Sequence, residues 1–574
     1  MRVRYHAVAA DYDGTLATHG VLDDDTRAAL RRLRDSGRKL VMVTGRELDE
    51  LLGVAGDVDG FDRIVAENGA LIYEPQTKQI RTLCDPPPAS FIDELRRRGV
   101  EHAVGRIIVA SHEPYQEAIL GVIRDLGLEL QVIFNKGSVM VLPTGVNKAT
   151  GLARALVELG LSPHNVVAIG DAENDHALLA SCEAGVAVAN ALDSLKAKAD
   201  LVTTARHGAG VAELIDRLVA DDLADLAGQL SRHAIAIARD ITVDPYATTM
   251  MICGTSGSGK STLTGALLER LAAGGYQFAI VDPEGDYREL ETAVVLGSTK
   301  RAPLVEEALD VMRDPGRNCV VNMLGIALDH RPESFAKLTL ALAEMRSRVG
   351  RPHWIVIDEA HHMLPVAWEP SLTSALPERG AVYITVHPGS VSPAVLATIE
   401  VIVALGDQPA KTIAEMCAAS NRQVPAMEAP DKLEPGTALI WRVGERSADV
   451  IAFEPPHGER TRHSRKYTEG NLGPDRSFYF RGPGDRLNLK AHNLQLFLQI
   501  GDGVDDDTWE FHRGHGDFSR WLRDEVKDGS LADEVAAIEQ HAMSPADSRA
   551  AVRAAIDRRY TLPADVPTGV IDEA

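Results

Sequence analysis

One octapeptide restricts this chain more than any other feature. Residues Gly254 to Ser261 read GTSGSGKS and fit the pattern G-x-x-x-x-G-K-[ST]. At the average glycine frequency of proteins, about 7%, a chance match in a chain of this length has a probability on the order of a few per cent. The pattern requires a buried strand before it and a helix after it. TTMMIC in front and TLTGALLERL behind supply both. Loop amides and a helix N-terminus arranged in this way bind phosphate anions. The expected phosphate- and ATP-binding residues are therefore Gly254, Thr255, Ser256, Gly257, Ser258, Gly259, Lys260, Ser261 and Thr262. Lys260 is placed to reach the β- and γ-phosphates, and the Ser261 hydroxyl to ligate Mg²⁺.

A loop of this kind works with an acidic strand end, and HWIVIDEAHH (353–362) supplies one. Asp358 is expected to hold Mg²⁺. Glu359 is placed to activate a water, which hydrolysis of ATP requires and transfer to a second substrate does not. AVYITVHP (381–388) is a further strand with polar residues at its end, so Thr385 or His387 is expected to sense the γ-phosphate. FAIVDPEGDY (278–287) precedes them both. The DPEGDY run, the DEAHH run and VHPGSVSPAVLATIEVIVAL (386–405) together resemble the HerA/FtsK-like branch of P-loop ATPases. The resemblance implies a RecA-like α/β domain, ATP hydrolysis and a homo-oligomer, commonly a hexameric motor on DNA. His387 stands where that branch typically has Gln. Arg379 is the candidate arginine finger, set against an ordinary surface ion-pair role.

Charge restrains the nucleic-acid part of that resemblance. Lys plus Arg number 60 against 83 Asp plus Glu, a formal charge of -23. Such a surface argues against broad binding to nucleic acid or anionic membrane, while a local basic channel stays open. The ATPase chemistry is carried over; the nucleic acid is not.

The 574 residues suggest three domains at ~100–200 residues each. The first 220 or so form a series of apolar runs, each ending in polar residues. AVAA (7–10) leads into DYDGT, and DDDT (23–26) caps a helix striped by Leu30 and Leu33 and stopped at Gly37. KLVMVTGR (39–46), IVAENGALIY (64–73) and NVVAIGDAENDHALL (165–179) follow. Polar residues at strand C-termini are where an open α/β sheet binds its ligands. Asp11 and Asp13, two apart, are expected on one side of a strand end. With Asp171 and Asp175 they make an all-oxygen site suited to Mg²⁺. A carboxylate nucleophile can form an aspartyl phosphate. Thr44 can donate to a phosphoryl oxygen, and Lys148 can neutralise nucleophile and phosphoryl group.

DYDGT (11–15), VTGR (43–46), NKATGL (147–152) and GDAEND (170–175), in this order and with ENGA (67–70), resemble the haloacid dehalogenase (HAD) phosphatases of the Cof-like class. The resemblance implies a Rossmann-like core with a small α/β cap over about 81–144. It implies Asp11 as nucleophile and Asp13 as general acid, then base. Mg²⁺ would be held by Asp11, the Asp13 carbonyl and Asp171, with Asp175 in support. The short cap is similar to those of phosphoglycolate or sugar-phosphate phosphatases, so the expected substrate is a small phosphorylated metabolite.

Residues 219–240 read as a helical connector. The expected division is 1–222 phosphatase, 223–240 connector, 241–456 ATPase and 457–574 a mostly helical tail module. In the tail, Leu489, Leu494, Phe497 and Leu498 have helical spacing, and further helices are expected around 518–526, 531–540 and 544–560. His512, His515 and Asp517 have metal-like spacing but also suit a turn with a helix cap. Trp509, Phe511 and Trp521 suit a core. Lys466, Arg481 and Arg513 suit either a phosphate or solvent.

Five scattered cysteines without a CxxC pair, no apolar leader in MRVRYHAVAADYDGT and no long apolar run point to a reducing cytoplasm and no membrane span. The sequence favours a two-site hydrolase in which an ATPase gates or drives a phosphatase. Three alternatives stay open: a nucleic-acid motor with an end-trimming phosphatase, a bifunctional kinase–phosphatase, and a nucleotide switch that scarcely turns over.

Overall fold

The computed structural model describes residues 3–226, 233–238, 241–245, 248–255, 257–288, 290–327, 330–366, 377, 379–456, 476–526 and 528–558. Residues 1–456 form one compact unit and 457–574 another.

The first unit begins with β1 (Ala7–Asp11), β2 (Lys39–Val43), β3 (Arg63–Ala66), β4 (Leu71–Glu74) and β5 (Gln79–Thr82). An inserted group follows: β6 (Ala103–Val104), β7 (Val109–His112), β8 (Leu130–Asn135) and β9 (Ser138–Pro143). The chain then returns through β10 (Val166–Gly170), β11 (Ala184–Ala187) and β12 (Leu201–Val202). The main sheet runs β12-β11-β10-β1-β2-β3-β4-β5, and the inserted strands form their own antiparallel sheet β6-β7-β9-β8. β1 lies between β10 and β2, parallel to both and buried throughout. A strand covered on both faces must be apolar along its length, which AVAA satisfies. This central position brings Asp11 beside the end of β10, where Asp171 follows.

The helix Asp24–Asp35 starts where expected. The Asp23 carboxylate caps it by accepting from the Thr26 amide at 2.6 Å, and Gly37 at φ 85° follows its end. IVAENGALIY is not one strand. β3 and β4 are antiparallel partners around a turn in which Glu67 and Asn68 have φ 51° and 55°. Asn tolerates that left-handed region, and Gly69 completes the reversal.

The connector also differs from expectation. The helix His207–Asp221 ends early, with Asp222 and Leu223 at φ 60° and 57°. The Asp222 carboxylate is drawn to the Arg38 guanidinium at 2.8 Å and to the Arg4 amide, which fixes that stop. Beyond it come a 3-10 turn, Ala224–Leu226, and then strands: β13 (Ile235–Ala238) pairs with β14 (Ile241–Val243). Alternation of Ile235 and Ile237 with alanine is a strand period, and the small residues permitted a helical reading.

The second sheet uses β15 (Thr249–Gly254), β16 (Phe278–Asp282), β17 (Ala293–Leu296), β18 (Asn318–Asn322), β19 (Trp354–Ile357) and β20 (Ala381–Thr385). β21 (Val401–Leu405), β22 (Ala426–Met427), β23 (Thr437–Arg442) and β24 (Ser447–Ala452) complete it. Its order is β17-β18-β16-β19-β20-β15-β21-β23-β24-β22. β15, β16, β19 and β20 are parallel, so their polar termini gather at one edge.

The two sheets belong to one unit because their N-terminal ends meet. The Arg351 guanidinium donates to Gly160 O at 2.5 Å and to Gln277 Oε1 at 2.7 Å. His353, just before β19, lies 3.2 Å from Asn165 Oδ1, just before β10.

The second unit has a short hairpin, β25 (Phe478–Phe480) with β26 (Leu489–Ala491), and helices Leu494–Gly503, Asp506–Gly514, Asp517–Asp524, Gly529–Gln540 and Pro545–Asp557. Leu489 therefore lies in a strand, not in the expected helix, which starts only after the Asn493 cap. Among the described residues no helix is long and apolar enough to cross a membrane.

Candidate functional site

The first cluster sits past the ends of β1 and β10. Oxygens of Asp11, Asp171 and Asp175 lie within 4.8 Å of one another, and all three residues are buried. Lys148, the first residue of the helix Lys148–Leu159, bridges two of them: Nζ is 2.5 Å from Asp11 Oδ1 and 2.6 Å from Asp175 Oδ1. An Asn147–Thr150 capping box fixes the helix start and so the lysine. Asp175 is further oriented by the amides of Asp171 and Ala172, at 2.9 and 3.0 Å.

Burial, and then the charge of Asp175, push the Asp11 pKa up against the opposing pull of Lys148. Burial also raises Asp171. Burial works against the Lys148 ammonium, but Asp11 and Asp175 outweigh it and hold its pKa above the ordinary value. Three clustered carboxylates face two ammoniums, Lys148 on Asp11 and Asp175 and Lys136 on Asp171, so acids outnumber bases. Hard oxygen donors with that excess fit a divalent cation such as Mg²⁺. Lys136 places an ammonium 2.6 Å from Asp171 Oδ2.

Asp13 stands apart from this cluster. β1 ends at Asp11, so strand alternation does not continue to Asp13. Arg46 clamps the Asp13 carboxylate with Nε at 2.6 Å and Nη2 at 2.7 Å, at the half-exposed mouth of the site. Thr44 is buried, and its Oγ accepts from the Arg46 amide at 3.1 Å.

Two further residues contribute that no spacing in the sequence assigns to the site. Lys136 comes from the β8–β9 turn of the inserted sheet, in a stretch without a motif. Glu67 is fully buried, and its carboxylate accepts the amides of Arg106, Ile107 and Ile108 at 3.0, 2.7 and 2.9 Å. It ties the insert to the core. Its place in ENGA was visible, but its partners were not.

The second cluster lies at the ends of β15, β19 and β20. Gly254, Gly257 and Gly259 have φ of 149°, 79° and 100°. A Cβ on Gly254 would lie 2.3 Å from Leu405 O, so glycine is required there by space as well as by backbone. Lys260 Nζ donates to the Gly254 and Thr255 carbonyls at 2.8 and 3.1 Å, folded over the loop it follows. Ser261 and Thr262 lie in the first turn of the helix Lys260–Ala273. Ser256 lies outside the described residues.

Asp358 is buried directly past β19, and Glu359 sits at φ 44°. Thr385 at the end of β20 accepts the His387 amide at 3.0 Å. His361 joins these two strand ends: Nδ1 is 3.0 Å from Thr385 Oγ1 and 3.4 Å from Glu359 Oε2. Burial, then the neighbouring His362, His387 and Lys260, push its pKa down to about 4. It is therefore neutral at pH 7. His361 lies in the DEAHH run, where no spacing marks it for this position. Asp282 closes the DPEGDY turn by accepting the Gly285, Asp286 and Tyr287 amides at 2.7, 3.0 and 3.0 Å. The Arg379 side chain is exposed, while its carbonyl accepts from Arg346 at 2.7 Å.

In the second unit, His512 is a turn lock. Nδ1 is 2.7 Å from Asp517 Oδ2, and Nε2 accepts the Arg481 amide at 2.9 Å. His515 instead faces Phe511 O at 2.6 Å. Trp509 and Trp521 are buried in the core, each indole donating internally, to Ser548 Oγ at 2.8 Å and Arg476 O at 3.0 Å. Phe511 is half-buried, and Arg513 pairs with Glu510 at 2.6 Å. Lys466 lies outside the described residues.

Residues 8–86 and 100–215 match the family described as haloacid dehalogenase-like hydrolase, and residues 240–348 match helicase HerA, central domain. A phosphoglycolate phosphatase of Methanothermobacter thermautotrophicus is 30% identical over 222 residues, which cover 37% of this chain and 98% of that protein. Phosphoglycolate phosphatase 2 of Saccharolobus solfataricus is 30% identical over 219 residues, 37% of this chain and 91% of its own. Among solved structures, a haloacid dehalogenase-like hydrolase from Bacteroides thetaiotaomicron is 21% identical with a TM-score of 0.34, covering 37% of this chain and 99% of that one.

Proposed function

Because this chain belongs, over residues 8–86 and 100–215, to the haloacid dehalogenase-like hydrolases and continues into a HerA-type ATPase domain, we propose that it is a Mg²⁺-dependent phosphatase for small phosphomonoesters of the phosphoglycolate kind, gated by its own ATP site. The observation that carries the phosphatase part is the convergence of Asp11, Asp171 and Asp175 around the Lys148 ammonium.

Asp11, at the centre of that cluster, is the nucleophile. Its carboxylate attacks phosphorus, the ester P–O bond breaks, and the leaving alkoxide takes a proton from Asp13. Asp13 then removes a proton from the attacking water, and hydrolysis of the aspartyl phosphate returns Asp11 and releases phosphate. Lys148 and the Thr44 hydroxyl stabilise the charge that gathers on the phosphoryl oxygens. Bound Mg²⁺, held by Asp11, Asp171 and the Asp13 carbonyl with Asp175 in support, would supply Lewis-acid stabilisation of the same charge. The Arg46 clamp keeps Asp13 at the mouth of the site.

At the second site, Lys260 and Ser261 bind nucleotide with the loop amides, Asp358 holds its Mg²⁺, and Glu359 orients the attacking water. Gating is supported by the path between the sites. The helix that begins at Lys260 ends at Gly274, whose carbonyl lies 2.6 Å from His164 Nε2. His164 also meets Glu183 Oε2 at 2.7 Å, and the Tyr276 hydroxyl donates to the same oxygen at 2.9 Å. Glu183 directly precedes β11 and His164 lies two residues before β10, which leads to Asp171.

A hydrolysis screen over phosphoglycolate, sugar phosphates and phosphorylated oligonucleotides, with Asp11→Asn as control, tests the reading. Phosphoglycolate turnover that vanishes in the variant is expected. Turnover that survives it removes Asp11 as nucleophile.

A further inference from the structure

The inserted sheet sends one charged side chain into the catalytic cluster. Asn135 pairs with Ser138 at the end of the β8–β9 hairpin, so the turn consists of Lys136 and Gly137, with φ of 48° and 85°. Two successive left-handed residues are the mark of a type I′ turn, whose twist matches that of its strands. The turn therefore holds Lys136 at a defined place at the hairpin tip.

From there the ammonium reaches Asp171 Oδ2 at 2.6 Å and lies against Gly14, where a Cβ would be 3.0 Å from Nζ. The side chain remains 48% exposed, so it stands in the mouth between insert and core. Lys148, buried and bonded on two sides, is already committed to Asp11 and Asp175. Lys136 is a different kind of cation: long, half-solvated and carried by the insert. An ammonium and a divalent cation repel each other at one carboxylate oxygen. In the metal-loaded site Lys136 is thus available to another anion.

The nearby wall limits what that anion belongs to. Met140 Sδ and the Asn174 amide crowd Gly45, and Ile107, Ile108 and Leu142 form an apolar cluster with Met140. Asn174 donates to Asn68 Oδ1 at 3.1 Å, which leaves Asn68 Nδ2 and Asn174 Oδ1 buried without a partner among the described residues. Unpaired buried amide groups next to a reaction site are suited to a polar ligand.

We propose that Lys136 is the specificity residue of the phosphatase, and that its ammonium binds a second anionic group carried by a short phosphomonoester. The assignment rests on the phosphatase reading above. It predicts discrimination by charge, since an ammonium–anion hydrogen bond is stronger than a neutral one.

The test compares phosphoglycolate with ethyl phosphate, which lacks the second anion, in the full chain with Mg²⁺. Lys136→Met is expected to raise KM for phosphoglycolate about tenfold or more while leaving its KM for ethyl phosphate within about twofold and kcat within about threefold. Lys136→Arg should recover most of the loss. In the Asp11→Asn background, adding Lys136→Met should weaken equilibrium binding of phosphoglycolate by the same factor, which reads recognition without turnover. Equal KM changes on both substrates, no change on either, or no phosphoglycolate binding by Asp11→Asn overturns the assignment. If the parental chain hydrolyses neither ester, the phosphatase reading fails instead, while the binding comparison in the Asp11→Asn background still reports on recognition; parental turnover by Asp11→Asn removes only Asp11 as nucleophile.

Discussion

Single side chains decide whether each cluster is chemistry or scaffold. Lys148 is buried between two carboxylates, so Lys148→Met leaves buried negative charge without its counter-ion. Phosphatase turnover should fall by about 10²–10³-fold, and stability by about 3–5 kcal/mol, read by steady-state rates and denaturant unfolding. Unchanged stability would show that the carboxylates are compensated elsewhere. Glu359→Gln should bind ATP with parental affinity and hydrolyse it about 10²-fold or more slowly; equal turnover would remove Glu359 as the water-orienting group. The motif residues were legible because their chemistry demands particular types at fixed spacing. Lys136 was not, because its role depends on where a hairpin of the insert comes to rest. Asp13 was only half legible: its spacing from Asp11 implied a shared face, but the strand ends first and Arg46 claims the carboxylate.

At the level of elements, the parallel strands were readable from their apolar runs and polar ends, and the first helix from its cap at Asp23. Elements that depend on distant partners were not. The chain stops its helix at Asp222 because Arg38 and Arg4 pull the carboxylate aside, and neither residue is near it in sequence. Glu67 is the same kind of device. It gathers three successive amides of the turn between β6 and β7 of the insert, so Glu67→Ala should leave those donors buried and unpaired. A loss of about 2–4 kcal/mol is expected, with faster amide exchange at Arg106, Ile107 and Ile108. Exchange that stays slow at those amides would show that the insert is anchored by its apolar contacts alone.

For the unit spanning residues 1–456, the join between the two sheets is polar and buried. Arg4, His164 and Tyr276 surround Glu183. Burial alone would raise its pKa, but the His164 hydrogen bond and the Arg4 charge prevail and bring it to about 2. A carboxylate whose folded pKa lies below its unfolded value adds stability above the unfolded value and loses it on acidification. The contribution, about 3 kcal/mol from the shift, should be complete at neutral pH and fade from about pH 4.5 to 2. Glu183→Gln should flatten that acid limb in thermal melts; a parental limb would assign it to other carboxylates. The join also carries the central claim, that nucleotide at the Lys260 loop alters hydrolysis at Asp11. The most direct measurement is the rate of phosphoglycolate hydrolysis with and without MgATP, in the parental protein and in Lys260→Ala. A rate that changes with ATP in the parent and not in the variant is predicted. A rate indifferent to ATP in both would contradict it.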